Sequence, residues 1–321
     1  MSQNGPVLVV ALSEVRSPVL EAVTIARELA DPVVLALAAV SAAELASLAD
    51  AGVSTVLTAD LADGRLVPSV AARAVAAAAE HAGADVVLFP SSFFAKEVAA
   101  HSAHALHAGL LIDVAWLARE QATGELVGGK RTFAGTWDSS CAVTAQRAVV
   151  TVRPNAVTAT SAPVGGEPVV TELSVEAQLP AGLDLVSRDV HPAVGARPAL
   201  AEAAVVVAGG RGTEGDFAAV EQLADALGAA VGTTRDCVDE GWQPHDAQIG
   251  QTGITIAPRL YIGAGISGAP HHHGGMQASG TIVAVNLDPD APLVQIADYA
   301  VIGDLHQVLA DAARAITRHR S

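Results

Sequence analysis

Ala203-Ala204-Val205-Val206-Val207-Ala208-Gly209-Gly210-Arg211-Gly212 is the stretch of this 321-residue chain whose reading decides the architecture. The apolar run over 203–207 predicts a strand covered on both faces, as in a parallel sheet. It runs into a glycine-rich turn, and helical spacing follows over 215–227. Strand, glycine turn and helix in this order let backbone N–H groups approach a phosphate at a helix N-terminus. Gly209, Gly210 and Gly212 leave room for that approach, and Arg211 offers a guanidinium fork for phosphate or carboxylate. The spacing is not G-x-G-x-x-G, so the turn alone is equally well explained as a tight structural one.

Two later stretches repeat the pattern. Gly250-Gln251-Thr252-Gly253 sets an amide and a hydroxyl between glycines. Gly265-Ile266-Ser267-Gly268-Ala269-Pro270 follows a strand expected over 260–263 and predicts a helix start, with Ser267 as N-cap and Pro270 in the first turn. Further strands are expected over 229–232, 281–286 and 299–302. A closing helix is expected over 305–318, its basic end suited to the negative end of the helix dipole. Three such turns in one half-chain point to a phosphate-bearing cofactor across the carboxyl edge of a sheet.

Working toward the N-terminus, strands are expected over 7–12, 33–37, 54–57 and 85–89. Helices are expected between them over 18–29, 42–50 and 68–81, and after them over 93–107, the last ended by Gly109. This order implies a doubly wound parallel sheet with right-handed crossovers. Over 112–173, short Val/Thr-rich runs alternate with Gly, Asp and Asn, which reads as an antiparallel extension of that sheet. Residues 179–200, with Pro180, Gly182, Pro192, Gly195 and Pro198, read as a linker. The expected fold is therefore α/β, two doubly wound parallel-sheet domains over 1–190 and 200–321.

Composition narrows the function. Hydrophobic residues make up 51% of the chain and aromatics 3%, enough apolar material for buried cores and unlike a disordered or collagen-like chain. A net charge of −16 excludes nucleic acid as a partner, since phosphate binding needs surplus cations. Cys141 and Cys237 lie far apart and outside any C-x-x-C pair, which argues against a thiolate metal site or a disulfide framework. The N-terminus lacks signal-peptide character, and Glu44 interrupts the apolar run over 33–49, so no membrane insertion and a cytoplasmic location are expected.

His271-His272-His273 invites a metal reading, but three consecutive side chains do not converge on one ion from regular backbone. His101, His104 and His107 recur along one side of a helix and read as a polar face or an interface. Asp239, Glu240, Asp288 and Asp290 read as loop and cap residues. Ser139, Ser140 and Cys141 read as strand-edge residues, not a nucleophile set.

The ordered motifs of the second half carry a resemblance. Leu260-Tyr261-Ile262, Gly265-Ile266-Ser267-Gly268, His272, Gly275 and Ile282-Val283-Ala284-Val285-Asn286 resemble the signature of electron-transfer flavoprotein alpha subunits. Upstream, Gly209-Gly210-Arg211-Gly212, Thr234-Arg235, Val238-Asp239 and Gln248-Ile249-Gly250-Gln251-Thr252-Gly253 resemble that family's FAD loops. Asp288, Ala291-Pro292, Ala297-Asp298-Tyr299 and Gly303-Asp304-Leu305 continue the match downstream, so it spans about residues 203–315. Gly263, Pro270, His271 and His306 depart from the pattern, as does a shorter loop after Arg211.

The resemblance implies an N-terminal adenine-nucleotide-hydrolase-like domain that contacts a beta subunit, and a C-terminal FAD-binding domain of the deoxyhypusine-synthase-like type. It implies FAD here, with AMP or a second FAD in the beta subunit. Arg211 would contact FAD, Thr234 would hydrogen-bond it, and Arg235 would lie beside the isoalloxazine ring and favour its reduced, anionic form. Gln248, Ile249, Gly250, Gln251 and Thr252 would hold the flavin edge, with Thr252 near the reactive nitrogen. Ser267 and Gly268, leading through Ala269 and Pro270, would bind pyrophosphate. His272, next to His271, would sit by the pyrimidine side of the ring, and Asn286, Asp304 and Leu305 would bracket the adenosine end. The implied activity is electron carriage, not catalysis on a substrate of its own. Electrons would pass from flavin dehydrogenases, such as the acyl-CoA dehydrogenases of fatty acid oxidation, to a membrane quinone oxidoreductase.

Overall fold

Alternation of side-chain direction along a strand fixes how each sheet is covered. The computed structural model describes residues 5–132, 137–187 and 197–320. They divide into two compact units, the second of which also takes in the described part of Arg131–Trp137. The expected linker lies partly at 188–196, outside the described residues.

The first unit begins β1 (Val7–Ala11), α1 (Ser17–Leu29), β2 (Pro32–Ala36), α2 (Ala42–Asp50), β3 (Thr55–Thr58), α3 (Pro68–Ala82), β4 (Val86–Pro90) and α4 (Phe93–Leu106). It continues β5 (Gly109–Val114), β6 (Trp116–Arg119), β7 (Leu126–Thr132), β8 (Trp137–Val143), β9 (Ala148–Val152) and β10 (Val169–Glu172). Along β1, Leu8 and Val10 join a core shared with α3 and α4, while Val7, Val9 and Ala11 join one shared with α1 and α2. The strand is buried on both faces, which its unbroken apolar run requires.

Local chemistry sets the helix ends. Ser41 and Glu44 form a reciprocal capping box at α2, and Ser92 Oγ accepts from Ala95 N at α4. α3 ends on Gly83 in the left-handed region. α4 ends on His107, also left-handed at φ +51°, and not on Gly109, which opens β5. His101, His104 and His107 are all exposed.

The stretch expected as an antiparallel extension of the first sheet divides between that sheet, which it joins in parallel, and a second, smaller one. β9 lies parallel between β4 and β5, and β10 lies parallel beside β3 at the far edge, in the order β10-β3-β2-β1-β4-β9-β5. Antiparallel pairing occurs between β6 and β7, which with β8 form a separate three-stranded sheet.

The second unit holds β11 (Val205–Gly209), α5 (Ala218–Leu227), β12 (Ala230–Thr233), α6 (Arg235–Asp239), β13 (Leu260–Ala264), α7 (Pro270–Met276), β14 (Thr281–Asn286), α8 (Pro292–Ile296), β15 (Tyr299–Ile302) and α9 (Leu305–Arg320). Its parallel sheet runs β12-β11-β13-β14-β15. α5 and α9 cover one face around Val207, while α7, α8 and the segment carrying Ile249 and Ile256 cover the other around Val206, Ala208 and Tyr261. The chain leaves β11 for β12 on one side and returns to β13 on the other. The winding therefore reverses at the carboxyl ends of β11 and β13, where such sheets leave a crevice for ligands. Among the described residues, no helix is long and apolar enough to cross a membrane.

Candidate functional site

Two of the three glycine turns meet at that reversal. Gly210 N donates to Ala264 O and Gly212 N to Gly265 O, each at 3.0 Å. A Cβ on Gly210 would lie 2.5 Å from Gly265 O, and one on Gly212 would lie 2.7 Å from Gly265 Cα. These glycines are therefore explained by the packing of one loop on the other. The turn after β11 is a short 3-10 segment, Arg211–Thr213, and α5 begins only at Ala218.

The open cleft lies on the β12 side. Thr233 Oγ1 donates to Gly209 O at 2.9 Å, and the chain turns through Thr234 into α6. Ile249 N donates to Thr233 O at 2.8 Å, which lays the third glycine turn alongside. That turn is closed by Ile254 N to Gln248 O at 2.8 Å and by Gln248 Nε2 to Thr252 Oγ1 at 3.0 Å. α7 forms the far wall, tied on by Gln251 N to His271 O at 3.0 Å and Ile256 N to Gly275 O at 2.8 Å.

Of the expected site residues, Thr234, Arg235, Gln248, Ile249, Gly250, Thr252, Ser267, Gly268, Ala269, His271 and His272 line this one cleft of about 150 Å³. That is below the few hundred Å³ that encloses a drug-sized ligand, so it takes one part of a larger molecule. Asp236 and Ile266 also line it and were not anticipated. Asp236 sits in α6, a five-residue helix with no clear sequence period. Ile266 lies inside a motif read for its polar members.

The remaining expected residues, Arg211, Gln251, Pro270, Asn286, Asp304 and Leu305, are not among the residues that line the cleft and have structural tasks of their own. Arg211 reaches Asp236 across 3.7 Å. Pro270 is the first residue of α7, whose N-cap is Ala269 and not Ser267. Asn286 Nδ2 donates to Ile266 O at 2.9 Å, and Asp304 Oδ1 accepts from Gln307 N at 3.0 Å, capping α9. Leu305 is buried in the α5–α9 core. Asp288 accepts from Asp290 N at 2.9 Å in a local turn, and Asp239 pairs with Arg235 at 3.2 Å. The two cations of the site thus each face a carboxylate, at exposed positions where such pairs contribute little.

His272 is the deepest titratable group of the cleft, 6% exposed. Its Nδ1 lies 3.2 Å from Ile249 O and its Nε2 2.7 Å from the hydroxyl of Tyr261. Burial, aided by the charge of His273 and opposed by the Ile249 carbonyl, lowers its pKa to about 4, so the ring is neutral at pH 7. Burial raises Tyr261 as well, keeping its hydroxyl protonated. Among the described residues, no group of three His, Cys, Asp or Glu side chains could hold a metal ion.

These residues suit a flavin dinucleotide. Arg211 and Arg235 offer cations for phosphate and reduced ring, while Thr234, Thr252, Ser267 and Gln248 offer polar atoms, and Ile249 and Ile266 apolar contact for a ring system.

Comparison with known proteins agrees. The family model for the electron transfer flavoprotein domain matches residues 7–178, and that for the electron transfer flavoprotein FAD-binding domain matches residues 199–277. The electron transfer flavoprotein subunit alpha of Mycobacterium leprae is 42% identical over 305 residues, spanning 92% of this chain and 93% of the relative. That of Mycobacterium tuberculosis is 42% identical over 302 residues, 92% of each. That of Syntrophomonas wolfei is 37% identical over 227 residues, 70% of each.

Proposed function

This chain belongs to the electron transfer flavoprotein alpha subunits and binds FAD, and from that premise we propose that it forms a heterodimer with a beta subunit and carries electrons between flavin dehydrogenases and a membrane quinone oxidoreductase. The reading is supported most by a single observation: eleven of the seventeen residues expected to contact FAD line one cleft at the carboxyl edge of the second sheet.

FAD supplies the electron-accepting ring. Arg235, at the mouth of the cleft, would favour negative charge on that ring. Thr234, Thr252 and Gln248 would orient its edge, and Ile249 and Ile266 would keep water from it. Arg211 with Ser267 and Gly268 would hold the phosphates, and Asn286, Asp304 and Leu305 would flank the adenosine. α7 has only seven residues, so Arg211 and the turns would carry more of the phosphate charge than the helix dipole would. The partner would hold AMP or a second FAD, and the pair would work in the cytoplasm beside acyl-CoA dehydrogenases in fatty acid oxidation.

The test is co-expression with an electron transfer flavoprotein beta subunit, an absorption spectrum, and mixing with a reduced acyl-CoA dehydrogenase. A stable heterodimer with about one FAD per alpha chain, bleached by the dehydrogenase, is expected. Two chains that elute apart, or a bound flavin that no reduced dehydrogenase bleaches, would contradict it.

A further inference from the structure

Tyr261, on β13, is the largest fully buried side chain among the described residues, and its hydroxyl meets Nε2 of His272 at 2.7 Å. On the other side of that imidazole stands the Ile249 carbonyl, 3.2 Å from Nδ1. A carbonyl only accepts, so Nδ1 must carry the hydrogen. In a neutral ring Nε2 then holds a lone pair, and the Tyr261 O–H donates to it. A second proton on Nε2 would turn the Tyr261 oxygen into the acceptor and take from its buried O–H the one partner it has here. The charged and titratable groups near the ring are His271 and His273 on its own helix, Arg235 and Asp236 on α6, and Tyr261 on β13. The Gln248–Thr252 turn brings no titratable group, and no carboxylate touches the imidazole in the contacts above.

We propose that Tyr261 is a positioning residue of the flavin site: with the Ile249 carbonyl it fixes His272 as a neutral, Nδ1-protonated ring, so that His272 meets the cofactor through its carbon edge and brings it no positive charge. Stabilising charge on a reduced ring then falls to Arg235, and His272 adds no pH dependence of its own to the potential over the range in which an unrestrained imidazole would titrate. The functional half of this inference rests on the FAD assignment; the tautomer does not.

The test uses the full-length chain labelled with ¹⁵N, with and without FAD. Long-range ¹H–¹⁵N spectra are expected to show His272 as the Nδ1–H tautomer from pH 8 to pH 5. Tyr261→Phe keeps the ring and frees Nε2. It is expected to raise the proton affinity of His272 by about tenfold and to make the potential of bound FAD rise more steeply, as pH falls, than the flavin's own proton uptake makes it rise in the unaltered protein. The double variant Tyr261→Phe/His272→Gln is expected to return the slope of the unaltered protein. An Nε2–H tautomer in the unaltered protein overturns the proposal, and that spectrum decides the matter even if Tyr261→Phe does not fold. A Tyr261→Phe protein with unchanged tautomer and unchanged potential profile also overturns it. Failure of the flavin assignment would show separately, as a colourless protein whose ring spectra still report the tautomer.

Discussion

Replacing Gly275 with alanine tests how the two walls of the cleft are held together. Gly275, in α7, lies so close to the glycine turn that a Cβ there would fall 2.5 Å from both the Cα and the N of Gly250. Ordinary carbon contact is about 3.5 Å, so α7 and the turn must part by about 1 Å. Overpacking of this kind destabilises by about 1–3 kcal/mol. For a unit of this size, that is a fall of roughly 3–15 °C in melting temperature. Because the displaced wall carries His271 and His272, FAD affinity should drop by about tenfold or more, equivalent to ~1.4 kcal/mol. Gly228→Ala is the control: its φ is +68° with nothing within 4 Å of a new Cβ, so it should lose about 1 kcal/mol through backbone strain alone. Differential scanning calorimetry and FAD titration of both variants give the answer. A Gly275→Ala protein with unchanged melting and affinity, or an equal loss of affinity in Gly228→Ala, would refute the reasoning.

Arg235→Ala should lower the potential of bound FAD by on the order of 30 mV for a two-electron couple, about 1.4 kcal/mol, while FAD remains bound; a potentiometric titration that finds no change would remove Arg235 from its role. Asp236→Asn should tighten FAD two- to five-fold, about 0.5–1 kcal/mol, since it removes a carboxylate that lines the cleft and faces Arg211; weaker binding by fluorescence titration would count against that. His272 should also make the protein acid-sensitive. Its folded pKa of about 4 lies below the ordinary 6.5, so between those values the unfolded chain binds more protons. Its contribution is therefore present above pH 6.5 and lost as pH falls toward 4. The loss from pH 7 to pH 4.5 should be about 2.5 kcal/mol. In His272→Gln, urea unfolding should show a shallower pH dependence by that amount, and an unaltered slope would contradict the burial argument.

The parallel sheets were legible because central strands must be apolar on both faces, and the runs around Val7 and Val205 say so directly. β9 shows where that reading failed. Its sequence AVVTV is buried throughout, the same signal as β1, but it follows a long hairpin excursion through β6–β8, and the surrounding Gly, Asp and Asn suggested a meander. His107 took the left-handed helix end because the chain reverses there directly into β5, leaving Gly109 inside the strand. In the cleft, residue types named the members of each wall, and the shared edge of the sheet brought them together. Asp236 was not legible, since a five-residue helix has too little length to show a period. Nor was the bond between Tyr261 and His272: the register of β13 against α7 sets it, and spacing along the chain carries no trace of it. The glycines of the turn after β11 were read as equally structural or functional, and their contacts with Gly265 give the structural half a definite content.

The most direct test of the central claim is a crystal structure of the FAD-loaded protein. The account predicts the isoalloxazine ring in the cleft between Arg235 and Thr252, beside His272, with the phosphates near Arg211 and Ser267. A flavin ring found anywhere other than that cleft would contradict it.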